Sequence, residues 1–164
     1  MTVAKSFACR TRRIFSVAGF LVAMLVGTGA GATELDLQAY RGKVVYLDFW
    51  ASWCAPCRES FPWLDQLERQ FGAQNLVVIG VNVDHDRDSA ERFLNQNFAT
   101  FPIVYDPLGT IATAYKVKGM PSAVLIDRAG QVRFEHIGFS SKKTGEYEDQ
   151  LQTLLNEPPH ESGR

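Results

Sequence analysis

The sequence predicts an α/β fold with a mixed central sheet flanked by helices. Three observations carry that reading. Apolar runs rich in β-branched and aromatic residues alternate with stretches of helical periodicity. The stretches between the early runs are long enough to be crossover helices, which implies parallel pairing. The last two runs are joined by a tight turn, which adds an antiparallel edge.

The first strand is "KVVYLDFW", residues 43–50, which is apolar without alternation except at Asp48, as befits a strand buried on both faces. After the cysteines, Phe61, Leu64, Leu67 and Phe71 recur at helical spacing and Gly72 ends the run. "NLVVIGVNVD", residues 75–84, reads as a second buried strand. "DSAERFLNQN" reads as a helix opened by Asp88, with Glu91 three residues on as a capping box. "FPIVYD", residues 101–106, is a short strand, and residues 110–116 form a helix that ends near Gly119. "SAVLIDRAGQVRFEHIG" supplies two strands about a turn at Arg128, Ala129 and Gly130, and a last helix covers residues 144–155.

The chain has 164 residues, 46% of them hydrophobic, enough for one domain with a real core. Its first 32 residues do not read as part of that core. Lys5, Arg10, Arg12 and Arg13 open the chain without an acid, residues 14–26 are apolar, and Ala30 and Ala32 are spaced as an A-x-A cleavage site. The order is that of a secretory signal cut after Ala32, with an uncleaved membrane anchor as the alternative. "TRRIF", residues 11–15, partly matches a twin-arginine signal. The domain is then residues 33–157, exported, with residues 158–164 a flexible tail.

Without residues 1–32 the chain keeps 13 basic against 18 acidic residues, about −5 at neutral pH. An acidic surface without basic runs argues against nucleic acid as partner. Cys9 falls in the leader, which leaves Cys54 and Cys57 in the stretch "WASWCAPC". A disulfide closing so small a loop constrains the unfolded chain little, so the pair is there for chemistry.

In this frame Cys54 lies at the start of a helix, where free backbone N–H groups and the helix dipole favour the thiolate. Ala55 and Pro56 make the first turn, where a missing N–H is harmless. Cys57 lies one turn on. Cys54 is expected as the exposed nucleophile and Cys57 as the buried resolving thiol. Trp50, Trp53 and Phe61 are expected to form an aromatic wall that keeps water from the pair. Asp48, a carboxyl in an apolar strand six residues before Cys54, should have a raised pKa suited to accepting the proton of Cys57. In "GMPSAVLID", a cis Pro121 against the cysteines would leave the backbone of Met120 free to pair with a substrate strand.

"VVYLDFWASWCAPCRESFPWLDQL" and "GMPSAVLIDRAGQV" resemble the thioredoxin superfamily. "DLQAYRGKVV", with the extra helix and strand between Val83 and Asp106, resembles its exported TlpA/ResA branch. The resemblance spans about residues 35–155 and includes Pro62, five residues after the second cysteine. It implies a thioredoxin fold with a helix-strand insertion, a cis Met120–Pro121 bond, Cys54 as attacking and Cys57 as resolving thiol, and Trp53, Pro56, Met120 and Pro121 as the substrate-binding surface. Asp48 falls where thioredoxins carry a buried acid. The implied activity is reduction of protein disulfides without a cofactor, recharged by a membrane electron donor of the DsbD/CcdA kind, with apocytochrome c among the candidate clients.

A Cu(I) chaperone using the same two thiols is the alternative function, and a one-cysteine peroxidase is weaker because the tight spacing suits dithiol exchange. Asp84, Asp86 and Asp88 alternate like a calcium loop, but Ser89 stands at the glycine position and Asn95 at the glutamate position, so they read as a solvated loop. His85, His136 and His160 show no metal spacing and read as surface histidines, and no metal site is expected. "RGK" at residues 41–43 is a turn into a strand. The ResA-like pattern places a glutamate that helps tune the cysteines after the "VNV" strand; here Asp84 and His85 fall near that place, and neither is assigned the role.

Overall fold

The computed structural model describes residues 35–158. The expected leader and the last six residues of the expected tail, His160 among them, lie outside that range. β1 (Val44–Trp50), α1 (Ala55–Phe71), β2 (Leu76–Asn82), α2 (Arg87–Gln96), β3 (Ile103–Tyr105), α3 (Thr110–Ala114), β4 (Ser122–Ile126), β5 (Val132–Ile137) and α4 (Thr144–Asn156) follow in that order. Single 3-10 turns at Leu37–Tyr40, Gly72–Gln74 and Ser141–Lys143 complete the chain.

The sheet order is β3-β2-β1-β4-β5. β1 pairs parallel with β2 and β2 with β3, while β4 runs antiparallel to both β1 and β5. The fold is the expected mixed sheet, and α2 with β3 is the extra helix-strand unit. β1 and β4 are buried throughout, because each lies between two strands and under helices on both faces.

Alternation along β1 sorts its side chains. Tyr46 and Trp50 face α1, α2 and α4, where they pack with Phe61, Leu64, Leu67, Phe93, Leu151 and Leu154. Val45, Leu47 and Phe49 face α3 and the amino-terminal turn, against Ile79, Val81 and Ile111. Aromatic rings key the first layer: Trp50 meets Phe61 edge-on at 5.0 Å, and Phe61 meets Phe93 at 5.0 Å. The carboxyl end of α4 is tied down by Arg128, whose guanidinium donates to the carbonyls of Leu154, Leu155 and Glu157.

Two local expectations need correcting. α2 begins after Asp86, not at Asp88: the Asp86 carboxylate accepts from the N–H of Asp88 and the hydroxyl of Ser89. The Glu91 side chain is not part of a capping box, because it takes the guanidinium of Arg87 at 2.9 Å, one helical turn away. His136 is not a surface histidine. Its ring lies 4.4 Å from that of Tyr147, with Nε2 2.7 Å from Gln150 Oε1 and Nδ1 buried with no partner among the described residues.

Candidate active site

Because β1 and β2 are parallel, their carboxyl ends reach the same edge of the sheet, and the loops leaving there build the site. From β1 the chain enters a turn in which Cys54 N donates to Ala51 O at 3.1 Å. Ser52 and Trp53 occupy the middle of that turn. Cys54 then caps α1 with extended backbone angles, and Pro56 sits in the first helical turn.

Cys54 and Cys57 are joined by a disulfide, with Cα atoms 5.4 Å apart. The Cys54 sulfur also accepts the N–H of Cys57 at 3.3 Å. The same sulfur, once reduced, would keep this donor and the positive end of α1, both of which favour its thiolate. Ser60, which the sequence did not single out, is buried beneath and donates its hydroxyl to Cys57 O at 3.1 Å. Pro62 lies inside α1, where it contributes no helical N–H.

Exposure corrects two expectations. Cys54 is 3% exposed against 0% for Cys57, so the order is as expected but Cys54 is no open nucleophile in the disulfide form. The aromatic wall is also incomplete: Trp50 and Phe61 are fully buried beside the cysteines, whereas Trp53 is 70% exposed. Trp50 is the last residue of the strand and follows its alternation, while Trp53 sits on a turn and projects outward.

Asp48 faces α1 between Tyr46 and Trp50, 3% exposed, with no hydrogen-bond partner for Oδ2 among the described residues. Burial raises its pKa well above the usual carboxylate range. Burial also raises the pKa of Tyr46, and the nearby Asp48 charge adds to that rise.

On the other flank the Met120–Pro121 bond is cis. Ser122 pairs with Phe49, so Met120 and Pro121 lead into β4 at the edge where the cysteine loop leaves β1. Pro121 O accepts Gly138 N at 2.8 Å, and Met120 packs against both hydrophobic layers. The structure thus brings Trp53, Cys54, Pro56, Cys57, Met120 and Pro121 to one edge, while Asp48 lies inside β1, paired with Ala123 of β4. A shallow groove lined by Ser52, Arg58, Ser89, Arg92, Phe93 and Gln96 runs beside the cysteines between α1 and α2.

Asp84 corrects a further reading. It is 7% exposed rather than solvated, and its carboxylate bonds to Ser52 and Asn82. His85 is exposed, with Nδ1 2.7 Å from Pro107 O. Among the described residues no three His, Cys, Asp or Glu side chains gather as a metal site. No helix among them is long and apolar enough to cross a membrane.

The Redoxin family profile matches residues 7–151, most of the chain. The chain belongs to the Redoxin family. Among curated Redoxin-like relatives, the thiol-disulfide oxidoreductase ResA of Geobacillus kaustophilus is 38% identical over 100 residues, covering 61% of this chain and 58% of that protein. ResA of Bacillus thuringiensis subsp. konkukian is 30% identical over 118 residues, covering 72% and 68%. The chain therefore spans somewhat over half the length of the first of these relatives. Among solved structures, a putative thiol:disulfide interchange protein DsbE from Chlorobium tepidum aligns with a TM-score of 0.72 and 44% identity, over 73% of this chain and 85% of that one. This Redoxin protein is a TlpA/ResA-like member of the thioredoxin superfamily, with the α/β fold of that group.

Proposed function

We propose that this chain is an exported thiol:disulfide oxidoreductase that reduces protein disulfides through Cys54 and Cys57. The observation that carries the proposal is the pairing of Cys54, at the amino-terminal cap of α1, with a buried Cys57 in one disulfide. Relatives named thiol-disulfide oxidoreductase ResA are 38% and 30% identical to this chain over the matched residues.

In the reduced enzyme the Cys54 thiolate attacks one sulfur of a client disulfide and expels the other as a thiolate. A mixed disulfide results. Cys57 then gives its proton to the Asp48 carboxylate and attacks the Cys54 sulfur, releasing the second client thiolate. Two electrons pass from the dithiol to the client, whose disulfide becomes two thiols, and the enzyme is left in the Cys54–Cys57 disulfide. Trp53, Pro56 and the backbone at Met120 and Pro121 form the surface on which an extended client segment lies.

The oxidised enzyme is recharged by a membrane dithiol donor of the DsbD/CcdA kind on the exported side of the membrane. A client whose cysteines must be reduced before a cofactor is attached, as in cytochrome c maturation, fits that direction.

The test is the equilibrium redox potential of the Cys54/Cys57 pair, by thiol trapping in graded dithiol buffers. A value below roughly −220 mV supports a dedicated reductant, and one above about −180 mV an oxidant or isomerase. A pair that forms no intramolecular disulfide overturns the proposal and leaves a Cu(I)-binding role for the two thiols.

A further inference from the structure

We propose that the groove between α1 and α2 is a subsite for acidic protein clients, in which Arg58 and Arg92 take the carboxylates of residues that flank the client's cysteine. The inference rests on the reductase reading of Cys54 and Cys57.

The groove begins at the reacting sulfurs. Ser52 lies shortly before Cys54 and Arg58 directly follows Cys57, and both line it, facing Ser89, Arg92, Phe93 and Gln96 of α2. The sheet order sets β4, into which Met120 and Pro121 lead, on one side of β1, and β2, which leads to α2, on the other. A client strand that passes the cysteines from Pro121 therefore has the groove ahead of it.

Its lining holds two arginines and no acid, within a domain whose charge is acidic as a whole. Arg58 is the decisive group. Every other arginine among the described residues donates to or pairs with an oxygen. Arg58 has no such acceptor among them: its guanidinium carbon lies over the Phe93 ring, 5.8 Å from the centroid. A ring attracts the cation but leaves the N–H fork to bond elsewhere. Phe93 is itself 4% exposed and held against Trp50 at 4.8 Å and Phe61 at 5.0 Å, so the cation rests on a fixed platform.

Arg92 is partly engaged. One terminal nitrogen donates to Ser89 Oγ at 2.9 Å and lies 3.6 Å from Asp86 Oδ2. Asp84, behind Ser52, is buried and bound to Ser52 and Asn82. The charge left to meet a ligand is that of Arg58 and part of that of Arg92, and it is positive.

A carboxylate suits such a site, because its two oxygens match the planar fork of a guanidinium. Opposite charge also steers the encounter and fixes register, which would bring the cysteine of an acidic segment to Cys54. A second copy of this acidic chain could answer the same charge. The position of the groove, flush with the cysteines, favours an occupant that reacts there.

The experiment compares two disulfide-linked peptide dimers, one with glutamates on both sides of its single cysteine and one with glutamines in their place. Both are reduced by the full chain in its dithiol form. Each rate constant is divided by that for dithiothreitol, which removes the effect of peptide charge on the disulfide itself. Wild type is expected to prefer the glutamate dimer by about threefold to fivefold in low salt, and high salt should erase the preference. Arg58→Gln should reduce it, and Arg58→Gln with Arg92→Gln should abolish it. The readout is a ratio within one enzyme, so any effect of Arg58 on the neighbouring Cys57 cancels. Equal rates for the two dimers in wild type, or a preference that survives both substitutions, overturn the inference and leave the reductase reading standing. A wild type that reduces neither dimer overturns that reading and the subsite with it. A wild type that sediments as a dimer in low salt, and as a monomer after both substitutions, gives the groove to a second copy and overturns the client assignment.

Discussion

Asp48 stands directly across the β1–β2 pair from Gly80, a residue with no side chain to answer its charge. The space over Gly80 is taken by the Trp50 indole and by Phe101 and Ile103, which would lie 3.1, 3.1 and 2.9 Å from an added Cβ. The carboxyl is thus walled by rings instead of being paired with a cation. Burial alone raises its pKa, and its Oδ2 has no donor among the described residues. A site that must take up a proton gains from that arrangement, and the folded state is destabilised by it.

The stability consequence has a definite sign. The folded state holds the Asp48 proton more tightly than the unfolded chain does. Stability is therefore fully present below the unfolded carboxylate pKa of about 4 and is lost as pH rises toward the raised folded value. Within that window the loss runs at about 1.4 kcal/mol per pH unit for this one group. Asp48→Asn removes the titration, so the oxidised variant should gain on wild type with rising pH and then hold a constant margin. Guanidinium unfolding of both proteins between pH 4 and 8.5 checks it. A stability difference that stays flat with pH would sink the idea.

Gly80→Ala should be destabilising by about 1–3 kcal/mol through overpacking. The Ile103 methyl can rotate away, but the Trp50 and Phe101 rings are buried and have nowhere to go. The expected reading is a lower denaturation midpoint with an unchanged slope. An unchanged midpoint would mean that the wall over Asp48 is looser than the contacts imply.

Trp53→Ala should leave stability within about 0.5 kcal/mol, since the side chain is exposed. Its effect should fall on clients. Reduction of a protein disulfide is expected to slow by about three- to tenfold, the range of a modest contact residue, while reduction of a small aromatic disulfide is unchanged. Equal slowing with both substrates would place the defect in the cysteines, and no slowing with either would remove Trp53 from the docking surface.

The sequence discloses what local pattern encodes and hides what distant contact decides. Every strand and long helix is legible, because apolar runs and helical periodicity are properties of neighbouring residues. So are Asp48 and the cysteine pair, a lone acid in an apolar strand and two thiols at a helix start. The family pattern points to the place of Asp84, but its burial and bonds were hidden: its partner Ser52 is 32 residues away, and the alternating Asp84, Asp86 and Asp88 look like a solvated run. The helix cap moved from Asp88 to Asp86 because two acids compete for one helix start and only the backbone angles decide. Trp50 and Trp53 look alike in "WASW", yet the strand ends between them, and side-chain alternation ends with it.

The two cysteines should fail in different ways when changed. Cys57→Ser leaves the Cys54 sulfur at the cap of α1 and removes only its disulfide partner, the proposed resolving thiol. Clients should then accumulate on Cys54 as covalent adducts that a reducing agent releases, with turnover lowered by about a thousandfold or more. Cys54→Ser removes the attacking sulfur and leaves Cys57, fully buried, as the remaining thiol of the pair. It should give neither turnover nor adducts. Asp48→Asn in the otherwise intact enzyme should fall between the two, with adducts that appear transiently and decay more slowly than in wild type, because Cys57 loses its proton acceptor. Non-reducing gels of each variant with a disulfide-bonded protein substrate, followed over time, separate these outcomes. Adducts on Cys54→Ser in place of Cys57→Ser would reverse the assignment of attacking and resolving thiols.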